Sequence, residues 1–193
     1  KQLRLQNEDQ YKAQKSYTIQ WELDTTKTIP FSFLGYEASY KESTATTGKR
    51  LFYDRTKPFK KDIPYRKEFK SKKEITIPQA YIIPRGFWPI LDLLKSNTIS
   101  FTQLEKDTTI EVESYKIADF KTTNSAYEGH YLHRNTTVTS KIEKMAFAKG
   151  DYVVPTEQKG IKYILETLEP EAVDSFFNWN FFDTILQQKE GYS

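Results

Sequence analysis

Residues 151–170 read DYVVPTEQKGIKYILETLEP, and this stretch decides the fold class. Tyr152 to Val154 is a short apolar, β-branched run closed by Pro155, which reads as a strand with a hard stop. Beyond the polar turn, Ile161, Ile164, Leu165 and Leu168 recur at i, i+3, i+4 and i+7, the spacing of one apolar helix stripe. Thr156 is the candidate N-cap, and Pro170 ends the helix. A core therefore lies on one side of a helix that directly follows a strand.

The same form occurs earlier, in AYIIPRGFWPILDLLK at 80–95. Ile75 to Ile83 is β-rich and stops at Pro84. Phe87, Ile90, Leu91 and Leu94 then take helical spacing over 87–95, with Pro89 in the first turn, where no amide partner is lost. Two copies suggest a weak internal duplication but are too few for a solenoid. The remaining texture is alternating. Tyr17 to Leu23, Ile29 to Tyr40, Leu51 to Tyr53, Ile63 to Phe69, Ile99 to Leu104, Thr108 to Ile117 and Thr136 to Phe147 read as strands. A small-residue turn spans Ser43 to Gly48. Ala172 to Gln188 crowds Phe176, Phe177, Trp179, Phe181 and Phe182 together and reads as a helix or helix-turn-helix, mostly buried. The expected fold is α+β, predominantly antiparallel sheet with two or three amphipathic helices packed on it. Residues 1–15 read as a lead-in or helix remnant. Residues 16–193 read as a single β-rich domain, with a possible sub-boundary in the basic strip at 55–73.

Composition supports a folded chain: 28% charged residues are ordinary, and the 15% aromatic share supplies large side chains for a core. The absence of cysteine excludes disulfides, thiolate metal sites and cysteine nucleophiles. No apolar run reaches the length of a membrane span. The net charge of +3 is unevenly spread, because residues 49–73 alone carry +8 and leave −5 for the rest. The strip is expected to face the acidic body or to serve as a solvated linker, since Pro58 and Pro64 interrupt it.

Chemistry is sparse. The two histidines, His130 and His133, lie in YEGHYLHRN with Glu128, the one candidate metal group. On a strand, i and i+3 point to opposite faces, so hydrogen bonding in a packed β region is the expected role. Neither a nucleophile elbow nor a phosphate-cradling glycine loop is present. The carboxylate pairs Glu169/Glu171 and Glu111/Glu113 have the i, i+2 spacing that places both on one strand face, as acidic surfaces also do. RLFYDRTKPFKKDIPYRKEF at 50–69 interleaves aromatics with cations, but no RNA-binding signature accompanies it, and no nucleic-acid partner is expected.

Several blocks together resemble one known region: RLFYDRTKPF, ITIPQAYIIPRGFW, DTTIEVESYKI, YEGHYLH, KGDYVVPTEQ, LETLEPEAVDSFFNWNFFD and ILQQKEGYS. The chain resembles the part that follows the catalytic domain in Bacteroidetes-type zinc carboxypeptidases. In that family a histidine–glutamate pair and a distant histidine hold the zinc, and a glutamate is the base. The resemblance places all of these upstream, so no catalytic residue and no cofactor is assigned to this chain, and zinc belongs to the parent peptidase domain. It implies a secreted or periplasmic protein and a non-catalytic accessory domain that packs beside the peptidase domain. The alternative is a module binding cell-wall glycan or peptide through Trp21, Trp88, Trp179, Phe181 and Phe182. A weaker one is a stand-alone hydrolase at Glu128, His130 and His133.

Overall fold

The computed structural model describes residues 14–187, so most of the 1–15 lead-in and the end of the aromatic segment lie outside the described residues. Strand takes 51% of the described residues and helical structure 14%, an α+β fold that is mainly antiparallel β. The chain forms two compact units, one of Lys1–Gln20 with Ser71–Ser193 and one of Trp21–Lys70. The second boundary falls inside the basic strip.

In the larger unit the two related segments pair with each other. Strands β5 (Ala80–Ile83) and β9 (Tyr152–Pro155) are antiparallel, with Ile82 opposite Val153, Tyr81 opposite Val154 and Ile83 opposite Tyr152. Overlaying YIIP on YVVP sends this register onto itself, so the pairing has a local two-fold through Ile82 and Val153. A short β6 (Thr102–Gln103) joins the other side of β9. Each of the two paired strands leads to a helix: β5 to α1 (Trp88–Ser96) and β9 to α2 (Ile161–Leu168). Ile83, Ile90, Leu91, Leu94, Ile99, Val154, Ile164 and Phe176 form one core. Tyr17, Ile19, Leu165 and Ala172 form another, joined by Ile75 and Ile77. The α2 stripe thus faces sheet on both of its sides.

Two local expectations are corrected here. Thr156 does not cap α2. Its hydroxyl donates instead toward the Pro78 and Gln79 carbonyls, and the helix starts at Gly160, whose φ of 84° a residue with a side chain resists. A β-carbon on Gly160 would also stand 2.6 Å from Ile99 Cδ1. Nor is 172–187 an α-helix. Asn178 stops it: its amide donates to the Ala172 carbonyl at 2.8 Å and accepts from the Thr136 hydroxyl at 2.6 Å. Asn180 follows with φ 68°, and the segment ends in a 3₁₀ turn, Asp183–Leu186. Side-chain bonds to backbone have outcompeted the helical ladder.

Strands β7 (Thr108–Thr122) and β8 (His133–Phe147) form a long hairpin in this unit. Strand β1 (Ser16–Leu23) pairs with β4 (Phe69–Thr76). In the smaller unit, β2 (Ile29–Glu42) pairs with β3 (Lys49–Tyr65), closed by Ser43 N–H on the Gly48 carbonyl at 2.9 Å. The basic strip is therefore not a linker over 49–65. It is one strand, with Pro58 and Pro64 inside it and Asp54 accepting from the Thr56 amide at 3.0 Å where the register slips.

Candidate functional site

The expected metal candidates are not gathered. Glu128 and Gly129 form a tight turn, with φ 50° and 82°, between Tyr127 and His130, whose backbone groups bond each other reciprocally. His130 packs on Trp179 and Phe181, at ring distances of 5.5 and 5.8 Å. His133 is buried elsewhere. Among the described residues no group of three His, Asp or Glu side chains could hold a metal ion.

His133 has a different set of partners. Its Nδ1 lies 3.0 Å from the Thr122 hydroxyl and its Nε2 3.0 Å from Asp183 Oδ1, while the ring packs between Phe120 and Phe177. Hydroxyl, imidazole and carboxylate follow one another as in a hydrolase triad. The neighbouring backbone N–H groups are engaged within the fold: Thr123 N–H bonds the Leu132 carbonyl and His133 N–H the Asn178 carbonyl. The arrangement fastens the C-terminal segment to the end of the β7–β8 hairpin.

Glu169 and Glu171 flank Pro170 directly after α2, on a turn rather than a strand, and both are buried. Glu169 accepts hydrogen bonds from the Tyr81 and Tyr115 hydroxyls. Burial pushes its carboxyl above the ordinary range, the two hydroxyls pull it back, and Glu113 and Glu171 push it up again. Burial, then the Glu169 charge, drives the Tyr81 hydroxyl up strongly, and Tyr115 shifts the same way. Glu171 takes an ion pair from Lys73 and the Val138 amide at 3.3 Å. Every polar atom here has a protein partner, and no buried side-chain polar atom is left unsatisfied among the described residues. Such a saturated network locks the sheet and helix together.

The candidate binding aromatics separate. Trp21 is 59% exposed in the smaller unit, and Trp88 is 63% exposed at the start of α1. Trp179 is half-buried beside Tyr127, Phe181 packs on Phe176 and Phe182 on Phe87.

The feature sequence reasoning did not single out is the β2–β3 hairpin. Register places Ile29, Phe31 and Phe33 with Phe59, Ile63 and Tyr65 on one face. There the Phe31 and Tyr65 rings stand 5.6 Å apart, and the Phe33 and Phe59 rings 6.0 Å apart over Gly35. Leu34, Tyr36 and Tyr40 lie on the other face with Leu51 and Tyr53. Leu34 is 73% exposed and Tyr40 70%, and the rings on both faces remain open to solvent. The signal was in the sequence, as period-two aromatics on both strands, but Pro58 and Pro64 masked its continuity.

No protein-family model, curated protein or solved structure matches this chain.

Proposed function

We propose that this chain is a non-catalytic accessory module that docks onto another protein through its β2–β3 hairpin. The observation that carries this reading is the two-sided exposure of Phe31, Phe33, Leu34, Tyr36, Tyr40 and Tyr53 on a ribbon of only two strands. A lone pair of strands is marginally stable in water. Burying each such side chain contributes about 1.5–3 kcal/mol, and an apolar surface this extended marks a contact site. The aromatics lie along two faces of a ribbon, which favours a protein surface over a sugar chain.

The resemblance supplies the partner: the catalytic domain of an exported zinc carboxypeptidase, which would itself hold the zinc. The module would shape or shield that domain's cleft. The test is to mix the chain with a separately purified carboxypeptidase domain of the resembling group and measure affinity by calorimetry. Micromolar binding or tighter is expected, weakened about tenfold or more by combined Leu34→Ser and Tyr40→Ser. Absence of binding, or equal binding by the double variant, overturns the reading. So does zinc-dependent turnover of C-terminal peptide substrates by the chain alone, if His130→Ala or His133→Ala abolishes it.

A further inference from the structure

The two outer edges of the β2–β3 hairpin differ, and the prolines show how. Pro30 stands opposite Pro64, and proline has no N–H, so this pair exchanges no hydrogen bonds and turns its backbone groups outward. At the far end, Ser43 N–H reaches inward to the Gly48 carbonyl. Every β2 residue from Ile29 to Glu42 has a register partner, so the alternation of β2 is unbroken. The backbone groups of Ser32, Leu34, Tyr36, Ala38, Tyr40 and Glu42 therefore point outward. On β3 the outer edge is blunted by Pro58, Pro64 and the slip at 55–57, devices that keep an edge from pairing. On β2 no proline follows Pro30, and no described strand pairs there.

Charge along the hairpin is arranged against a single copy. Register sets Glu37 opposite Asp54 and Lys41 opposite Arg50, two like-charge pairs on one face, with Ser39 opposite Phe52 between them. Like charges directly opposite destabilise a strand pair. The acids are partly answered: Lys57, from the slip, reaches Glu37 at 3.0 Å, and the Thr56 amide and hydroxyl bond Asp54 at 3.0 and 2.6 Å. The cations are not. Lys41 and Arg50 have no carboxylate within 4.0 Å among the described residues, and both lie over the Phe52 ring, at 3.4 and 6.0 Å. On the other face Glu42 lies opposite Lys49, so that row is balanced.

We infer that the outer edge of β2 pairs with the same edge of a second copy of this chain, antiparallel, about a two-fold at Ser39. This goes beyond the docking reading, which concerns the faces of the ribbon, and does not rest on it. A two-fold interface must be self-complementary, and this one is. Glu37 meets the partner's Lys41, and Lys41 meets the partner's Glu37. Asp54 and the partner's Arg50 stand one strand further out, so each charged row runs from two acids to two bases. Outward groups meet outward groups: Tyr36 exchanges backbone hydrogen bonds with the partner's Glu42, and Ala38 with the partner's Tyr40.

On the opposite face Ala38, Tyr40, Leu51 and Tyr53 of both copies adjoin. The ribbon becomes a four-stranded sheet with a shared apolar face, beyond the size at which a lone strand pair is marginal. Neighbouring registers lose the charge match. A two-fold at Glu37 sets Glu37 against itself, and one at Ala38 sets Glu37 against Ser39 and Lys41 against Gly35.

The test uses the whole chain, which has no cysteine, so single cysteines report the register. Sedimentation equilibrium should show a dimer at about 100 μM. Amide hydrogen exchange should slow at Tyr36, Ala38, Tyr40 and Glu42 as concentration rises, while Ser32 and Leu34 stay fast. Ser39→Cys should form a disulfide-linked dimer under mild oxidation, because residues on this two-fold face each other at ~4.5 Å between α-carbons. Ser32→Cys, outside the paired stretch, should stay unlinked. Glu37→Lys and Lys41→Glu should each weaken self-association at least about tenfold. Mixed, the two variants should form a heterodimer about as tight as the parent dimer, since each reversed charge then faces its opposite.

A parent chain that stays monomeric at that concentration overturns the proposal. So does linkage of Ser32→Cys as fast as Ser39→Cys, which reduces the contact to chance collision. Protection that reaches Ser32 and Leu34 moves the two-fold toward Glu37 and overturns the register set by charge. Failure of the two reversed variants to associate when mixed overturns it too, while the parent dimer, if present, is then assigned to another surface.

Discussion

His133 Nε2 stands 3.0 Å from Asp183 Oδ1, and that pair ties the last described turn of the chain to the start of β8. The two partners are unequal, because the histidine side chain is 5% exposed and the aspartate 45%. His133→Ala should therefore destabilise the fold by about 2–4 kcal/mol, through lost ring packing and two lost hydrogen bonds. Asp183→Ala, whose carboxylate water already reaches, should cost about 0.5–1.5 kcal/mol. Urea unfolding of both variants checks the order, and a larger loss for Asp183→Ala would show that the pair is not held as described.

Ile164 is fully buried in the core between α2 and the β5–β9 sheet, and Leu168 packs at its margin. Ile164→Ala should cost about 2–5 kcal/mol, and Leu168→Ala less. A cost below about half a kcal/mol for Ile164 would mean that the stripe faces solvent.

Glu169 sets a pH dependence of definite sign. Its carboxyl is raised in the folded chain, so the native state holds the proton more tightly than the unfolded one. Its contribution is fully present below the unfolded glutamate value of about 4.3 and is lost as pH rises through the raised folded value. Glu169→Gln removes that slope. The melting temperature of the variant relative to the parent should climb as pH increases from about 4 to 7. A constant difference across that range contradicts the assignment.

Gly160→Ala should be among the costlier single-methyl changes. It meets both a positive φ and the Ile99 side chain, and a loss of about 1–3 kcal/mol is expected. Ile99→Ala in the same chain relieves the clash but not the backbone strain, so the double variant should recover only part of the loss, as read from a thermal denaturation cycle.

The strand–proline–helix segments were legible because each level of the sequence agreed: β-branched run, breaker, then a stripe at helical spacing. The reading of β3 failed where two principles competed. Prolines within a strand usually signal its end, yet Pro58 and Pro64 sit at outward positions where no ladder bond is lost. The C-terminal aromatics failed for another reason. Their spacing suits a helix, but Ser175 and Asn178 offer the backbone closer partners, and only three-dimensional neighbours such as Thr136 show that these win. The Glu169 network was half-visible as a carboxylate pair. Its tyrosines come from β5 and β7, far away in sequence, and nothing local announces them.

The β5–β9 pairing has a kinetic consequence. Ile82 and Val153 must find each other across about half of the larger unit, and closing a long loop costs entropy before any contact repays it. The β7–β8 hairpin lies wholly inside that loop. Once zipped, it shortens the path between Ile83 and Tyr152 to residues 84–107 and 148–151 at its open end. Folding is then ordered, with the hairpin first and the central strands after it. Substitutions that weaken the 123–132 connection should slow refolding and leave the unfolding rate almost unchanged, so a turn outside the β5–β9 sheet governs how fast that sheet assembles.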